Sequence, residues 1–115
     1  SPALRAKLTY ENIFLNWDNK DNFLFIEKDL YYASTVQIKK KLTDKVIGFR
    51  NVVIIGHNPI LNSLIYQLTT RGHNKLPANL VTCGVVIIEY PETTFKIPNF
   101  SNGQVIDYFF PRMFT

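Results

Sequence analysis

The sequence has little cysteine and no long apolar run, and each shortage excludes a class of protein. Cys83 is the single cysteine among 115 residues, which excludes an intrachain disulfide and favours a reducing compartment such as the cytoplasm. The longest apolar runs, residues 52–55 and 85–88, are far too short to span a bilayer, and the first residues lack the pattern of a leader peptide. The sequence therefore predicts a soluble, cytoplasmic protein with no membrane partner.

Glycine-rich and metal-binding motifs are also missing. The five glycines are well separated, which excludes a P-loop and a dinucleotide-binding turn. Paired cysteines, a His-Glu-x-x-His helix and a dense Asp/Glu loop are absent from the sequence, so we expect no metal and no cofactor. A cysteine-phosphatase loop would need an arginine six positions after Cys83, where the chain has Glu89. A small buried thiol at the start of a strand is the simpler interpretation of Cys83.

What is present is an ordinary globular composition, with 46% hydrophobic and 19% charged residues. A single domain over residues 1–115 is expected. The net charge of +4 favours anionic ligands without identifying one. The basic run Lys39-Lys40-Lys41 lies in a helical pattern and is interpreted as a solvated face, so we expect no nucleic-acid partner.

Hydrophobic periodicity predicts helices that alternate with short buried strands. The expected helices lie at residues 2–16, from about 35 onwards, and from 59 onwards. The first has Leu4, Leu8 and Leu15 on one face, the second follows a capping box of Ser34 and Gln37, and the third carries the apolar stripe Leu61, Leu64, Ile65 and Leu68. The expected strands lie at residues 23–27, 51–55 and 84–90, with a loop at 69–79 and two further strands around the turn signal at 101–103. This alternation predicts an α/β fold, a three-layer α/β/α sandwich whose mostly parallel sheet has an antiparallel C-terminal edge.

The junction Gly56-His57-Asn58-Pro59 is where chemistry is most strongly indicated. In open α/β sheets ligands bind where a strand ends and the next helix begins, and a histidine there can donate to an anion such as phosphate. A histidine that merely bonds a loop carbonyl, with Asn58-Pro59 as only a helix cap, explains the same residues equally well. Arg5 is similarly open, because it can be a solvated helix residue or a planar fork for a phosphoryl group. His73 lies in a polar loop and is assigned no role.

Four segments resemble, in order, the histidine phosphatase superfamily, and most closely its small phosphohistidine phosphatase branch, which has the phosphoglycerate mutase-like fold. They are SPALRAKLT at 1–9, LYYAS at 30–34, VVIIGHNP at 52–59 and LVTCGVVIIEY at 80–90. The resemblance extends over essentially the whole chain, and GHNP after an apolar run is its most specific part. It implies a metal-independent hydrolase, a phosphatase that forms a phosphohistidine intermediate.

The resemblance also implies a role for particular residues. Arg5 matches the arginine that grips the phosphoryl oxygens, and His57 matches the second histidine of the pocket. Thr82, Cys83 and Gly84 match a segment that borders the phosphate. The nucleophilic histidine should follow an arginine at the end of a first strand, and neither histidine here does so. We therefore expect the family's first strand and helix to lie before residue 1.

The expected substrate is a phosphorylated protein, with phosphohistidine as the phosphoryl carrier, or a small phosphorylated molecule. No general acid is assigned, because Glu27 and Glu89 are both explained as structural residues. The missing nucleophile leaves an alternative function open, a non-catalytic module that binds phosphate or another protein. The sequence does not identify the physiological substrate.

Overall fold

Four α-helices and a two-stranded antiparallel sheet form the regular structure of the described residues. The computed structural model describes residues 1–32, 34–46, 49, 51–69, 80–90 and 103–111. The elements are α1 (Leu4–Ile13), a 3-10 turn (Lys20–Phe23), α2 (Asp29–Tyr32), α3 (Thr35–Val46), α4 (Ile60–Leu68), β1 (Val85–Glu89) and β2 (Gln104–Phe109).

The predicted three-layer sandwich with a mostly parallel sheet is wrong for the described part of the chain. Two of its expected strands, at residues 23–27 and 51–55, are not formed. The first range begins in the 3-10 turn, and the second belongs to an unpaired segment, residues 51–57. An apolar run indicates burial, but a strand also needs a neighbour to accept its ladder hydrogen bonds. Val53, in the middle of the second run, is 63% exposed. The prediction of buried strands was therefore wrong about pairing and, for much of both runs, about burial.

The strand predicted at residues 84–90 is confirmed as β1, which pairs with β2 in antiparallel register from Val85–Phe109 to Glu89–Gln104. The register shifts after Ile87, so that one extra residue of β2 lies opposite β1. Residues of β1 alternate between exposed and half-buried, as expected for a sheet with one face on the core. The first of the two predicted tail strands and most of the predicted 69–79 loop lie outside the described residues.

The helix starts at α3 and α4 follow from local hydrogen bonding. Before α3, the Gln37 amide donates to Ser34 Oγ and the Ser34 amide donates to Gln37 Oε1, both at 3.4 Å, which confirms the predicted capping box. The helix α4 begins one residue after Pro59 and buries three members of the expected apolar stripe, Leu64, Ile65 and Leu68, while Leu61 is half-buried. Periodicity and caps therefore predicted these two helices well.

The helix α1 is shorter than the predicted 2–16 and does not bury its apolar stripe. Leu4, Leu8 and Leu15 are all more than half exposed, and Ala6 is the buried residue of this helix. Helical spacing puts leucines on one face but does not supply an element to cover that face. At its C-terminal end α1 is tied to the 3-10 turn, where Lys20 Nζ lies 3.0 Å from a carboxylate oxygen of Glu11.

The core lies where α2, α3 and α4 meet. Its buried members are Leu30, Ile38, Leu64 and Leu68, and five partly buried side chains pack around them: Leu42, Ile54, Ile60, Ile88 and Tyr90. Ile54 therefore anchors the unpaired segment 51–57 to the core, although no strand of the described residues pairs with this segment. The hydroxyl of Tyr90 donates to the Leu68 carbonyl at 2.7 Å, and burial raises the pKa of this phenol.

Gly103, at the start of the β2 segment, is expected to tolerate no side chain. Its amide donates to the Leu68 carbonyl oxygen at 3.0 Å, and an added Cβ would lie 2.6 Å from that oxygen and 2.6 Å from Ile88 Cγ2. We expect Gly103→Ala to lower the free energy of unfolding by about 1–3 kcal/mol, because backbone has to shift. Urea denaturation measures this loss. Gly56→Ala is the control, since its Cβ would meet only the Leu61 side chain, at 3.2 Å; equal losses would contradict the prediction.

Candidate functional site

The Gly56–Pro59 junction connects the unpaired segment 51–57 to α4. The His57 carbonyl accepts from the Leu61 amide at 3.1 Å, and Asn58 Oδ1 accepts from the Asn62 amide at 3.2 Å. These amides are the groups that a helix start would otherwise offer to an anion. Because the chain itself uses these two amides, they are not available to an anion.

The His57 ring is held at both nitrogens. Nδ1 lies 2.7 Å from an Nη atom of Arg5, which is 52 positions away in the sequence. Nε2 lies 3.2 Å from the carbonyl oxygen of Leu30. Arginine can only donate, so Nδ1 accepts and Nε2 carries the proton that is donated to Leu30. The arrangement therefore fixes one neutral tautomer of His57.

The surroundings of His57 favour this neutral form. Burial lowers the pKa of His57 below its usual value of 6.5, and the positive charges of Arg5 and of the Ser1 amino group lower it further. As pH falls below 6.5 the unfolded chain therefore binds the proton before the folded chain does. His57 contributes stability above that pH, and this contribution is lost as the pH falls through the folded-state pKa.

Removing the charge of Arg5 should raise the pKa of His57. We expect Arg5→Gln to move the midpoint of the His57 ring-proton titration, followed by NMR, to higher pH, because one of the positive charges near the ring is gone. Lys7→Gln is the matched control, since it removes the same charge from an exposed position of the same helix. Equal shifts in the two variants would show that Arg5 has no specific effect on the ring.

Tyr31 is a third side chain at this place, and the sequence interpretation gave it no role. Its ring centroid lies 5.2 Å from that of His57, with the ring planes inclined by 54°, and the residue is 45% exposed. It follows Leu30, whose carbonyl accepts from His57. The LYYAS segment contained the signal, but only the fold shows that this segment contacts the His57 ring.

Two asparagines one helical turn apart fasten the start of α4 to residue 80. Asn58 Nδ2 donates to the Leu80 carbonyl, and the Leu80 amide donates to Asn62 Oδ1 at 3.1 Å. Both backbone groups of Leu80 are thus bound by side-chain amides. The spacing of Asn58 and Asn62, at i and i+4, is the sequence signal for this clip. The sequence pattern predicts only a helix cap at Asn58.

The predicted phosphate-bordering residues form a tight turn directly after this clip. The Gly84 amide donates to the Val81 carbonyl at 2.9 Å, with Thr82 and Cys83 at the corner. Cys83 has a φ of 59°, a left-handed conformation that is unusual for a residue with a side chain. It is exposed, so its interpretation as a small buried thiol is wrong.

The described contacts bring Arg5 and His57 together but link the 82–84 turn to them only through Leu80. An added Cβ at Gly84 would lie 2.8 Å from Leu80 Cδ1 and 2.9 Å from the Val81 carbonyl oxygen. The lack of space for a side chain therefore explains the glycine at this position. Direct participation of Thr82, Cys83 and Gly84 in the site therefore stays a prediction. His73 lies outside the described residues.

Among the remaining charged candidates, Lys41 and Glu27 are partners of each other. Lys41 Nζ, in the basic run of α3, lies 3.6 Å from a carboxylate oxygen of Glu27. Glu89 is an exposed residue of β1. Within the described ranges there is no cluster of three or more metal-ligating side chains, and none of the helices there is long and apolar enough to cross a membrane.

Comparisons of the chain with protein-family models, curated proteins and solved structures find no match. The resemblance to histidine phosphatases therefore rests on the residues and motifs of this sequence alone. What the structure adds to it is geometric: a distant arginine and a junction histidine are within hydrogen-bond distance of each other.

Proposed function

We propose that Arg5 and His57 bind the phosphoryl group of a phosphorylated protein, as part of a metal-independent phosphatase that acts on phosphohistidine. The observation that carries the proposal is the 2.7 Å contact between Arg5 and His57. Two polar residues that the resemblance assigns to one pocket, from segments far apart in the chain, are in contact.

The geometry supports anion binding by Arg5. The residue is exposed, and its contact with His57 uses one N–H of a planar guanidinium that has several. The contact with Nδ1 restricts the rotamers of the arginine, so less conformational entropy remains to be lost when a phosphoryl group binds. The other N–H groups can then form the paired hydrogen bonds that phosphate oxygens favour.

An anion beside Arg5 also changes what His57 can do. In the free protein burial lowers the pKa of the ring, nearby positive charges lower it further, and both favour the neutral form. A bound phosphoryl group adds negative charge, which raises the pKa of the ring and favours its protonated form. Protonation at Nδ1 turns an acceptor into a donor, which ends the hydrogen bond from Arg5. Both side chains can then donate to phosphoryl oxygens as charge spreads in the transition state.

The proposed reaction requires a second histidine as nucleophile. It attacks phosphorus in line; an N–P bond forms while the N–P bond to the substrate imidazole breaks, and that imidazole takes a proton. Water then hydrolyses the enzyme phosphohistidine to inorganic phosphate and restores the free histidine. His57 has both nitrogens engaged, so it is assigned the supporting role, and the attacking histidine is not assigned within these residues.

The experiment that tests the proposal is phosphate release by the full-length protein from a peptide carrying phosphohistidine, with EDTA present. We expect release without metal and an acid-labile phosphoprotein intermediate at short times. Hydrolysis that stops when EDTA is added, or no hydrolysis by a protein that binds no phosphohistidine peptide, would contradict the proposal.

A reducing, cytoplasmic setting is proposed as well, because the lone cysteine is exposed.

The second candidate is a phosphate-binding module without catalysis. It is favoured by one observation, that neither histidine follows an arginine, so the nucleophile motif of the resembled family is missing from the 115 residues. This candidate predicts that the protein binds a phosphohistidine peptide and leaves it intact over many binding half-lives. The same assay therefore separates the two functions.

A further inference from the structure

We infer that Tyr31 is a specificity-determining residue that selects phosphoryl groups carried on a planar ring, such as phosphohistidine, over those carried on an alkyl chain, such as phosphoserine. The inference rests on the proposed function and concerns the same site. It starts from the position of Tyr31, whose ring centroid lies 5.2 Å from that of His57. The residue Tyr31 is 45% exposed.

The backbone fixes Tyr31 beside the phosphoryl site. His57 Nε2 is bonded to the carbonyl of Leu30, the residue directly before Tyr31. The other ring nitrogen is bonded to Arg5. One imidazole therefore sets the positions of the cation and of the aromatic ring, and a phosphoryl group bound to Arg5 has Tyr31 as a near neighbour.

The distances suit contact with a ring attached to the phosphoryl group. Aromatic pairs are favourable when their centroids are about 4.5–7 Å apart and the rings are tilted or offset. The Tyr31–His57 pair has this geometry, and the residue is 45% exposed, so a ring on the bound phosphoryl group can contact the tyrosine as well. An alkyl carrier buries less area against the tyrosine and lacks the aromatic contribution, so it gains less.

The expected effect is modest but specific. An aromatic pair contributes enough to change a dissociation constant by roughly three- to tenfold. We expect wild-type protein to bind a phosphohistidine peptide at least about threefold more tightly than the same peptide with phosphoserine, after correction for the charge of each phosphoryl group. Tyr31→Ala should remove this preference and leave the affinity for the phosphoserine peptide unchanged.

The test is a set of fluorescence-anisotropy titrations with these two peptides and their unphosphorylated form, read within the time in which a phosphate-release assay shows that both phosphopeptides are intact. Tyr31→Phe keeps the ring and should keep the preference, Tyr31→Leu keeps bulk without the ring and should lose it, and Tyr66→Ala removes an exposed tyrosine from α4 as a control. If Tyr31→Ala does not fold, the Leu and Phe variants make the same comparison.

The outcomes separate this inference from the proposed function. Loss of the preference in Tyr31→Ala and Tyr31→Leu, with phosphoserine binding intact, supports the inference. An equal drop in affinity for both phosphopeptides assigns Tyr31 to packing against His57 and overturns it, as does the absence of any preference in the wild type. Failure of the wild type to distinguish any phosphopeptide from its unphosphorylated form overturns the proposed function itself.

Discussion

Replacing His57 by alanine is expected to lower phosphatase activity on the order of 10²-fold or more, comparable to the loss of one charge-stabilising donor in a preorganised site. The variant removes the donor to the phosphoryl oxygens and, in the free protein, the Nδ1 acceptor that orients Arg5. The first loss acts on the transition state, so kcat should fall more than KM changes.

Single-turnover hydrolysis of the phosphohistidine peptide measures this effect. His73→Ala is the matched control, because it removes the other histidine of the chain, to which the sequence assigns no role. His57→Gln is a second variant that keeps a hydrogen-bonding side chain and guards against a loss caused by misfolding. Turnover by His57→Ala close to that of the wild type would remove His57 from the mechanism.

Truncating Leu64 should have the largest effect on stability. It is 2% exposed and is the largest fully buried side chain of the described residues, in the core between α2, α3 and α4. Leu64→Ala is expected to lower the free energy of unfolding by about 3–5 kcal/mol, because it removes buried methyl groups and leaves a cavity. That is a large share of the about 5–15 kcal/mol by which domains are stable.

Urea denaturation followed by circular dichroism measures this loss. Leu4→Ala is the matched control, since it makes the same substitution at a residue that is 72% exposed, and its effect should stay within about 0.5 kcal/mol. If Leu64→Ala were no more destabilising than Leu4→Ala, the core would not lie where the structure has it.

Helices with local signals were the predictable part of the fold. Ser34 and Gln37 form their capping box through contacts between residues three apart, so the pattern is visible in the sequence itself. The stripe of α4 was predictable because burial of Leu64 and Leu68 follows from helical spacing. The sequence alone therefore predicts a helix wherever the residues that stabilise it are close along the chain.

The sheet was not predictable in the same way. Residues 51–55 have the composition of a central strand, yet a strand exists only where another backbone satisfies its hydrogen bonds, and that neighbour is not encoded in the run itself. Leu4 and Leu8 illustrate the same limit in α1, where an apolar face formed without a covering element. Long-range partners decide both cases.

The candidate site was predicted in part. Arg5 and His57 were singled out from separate segments, and the structure places them in contact. Tyr31 and the Asn62–Leu80 hydrogen bond were missed, because each depends on a contact between segments that the sequence does not pair. The Cys83 interpretation failed for the opposite reason, since a β-rich neighbourhood suggested burial while the turn exposes the thiol.

The most direct test of the Arg5–His57 anion site is a ¹⁵N NMR titration of the His57 ring, with and without saturating sulfate. Sulfate is a suitable probe because it stays a dianion over the pH range in which histidine titrates. In the free protein we expect the neutral tautomer with the proton on Nε2 and a lowered pKa. Sulfate should raise this pKa in the wild type and leave it unchanged in Arg5→Gln. A pKa of His57 that sulfate does not move in the wild type, or that it moves equally in Arg5→Gln, would contradict the account.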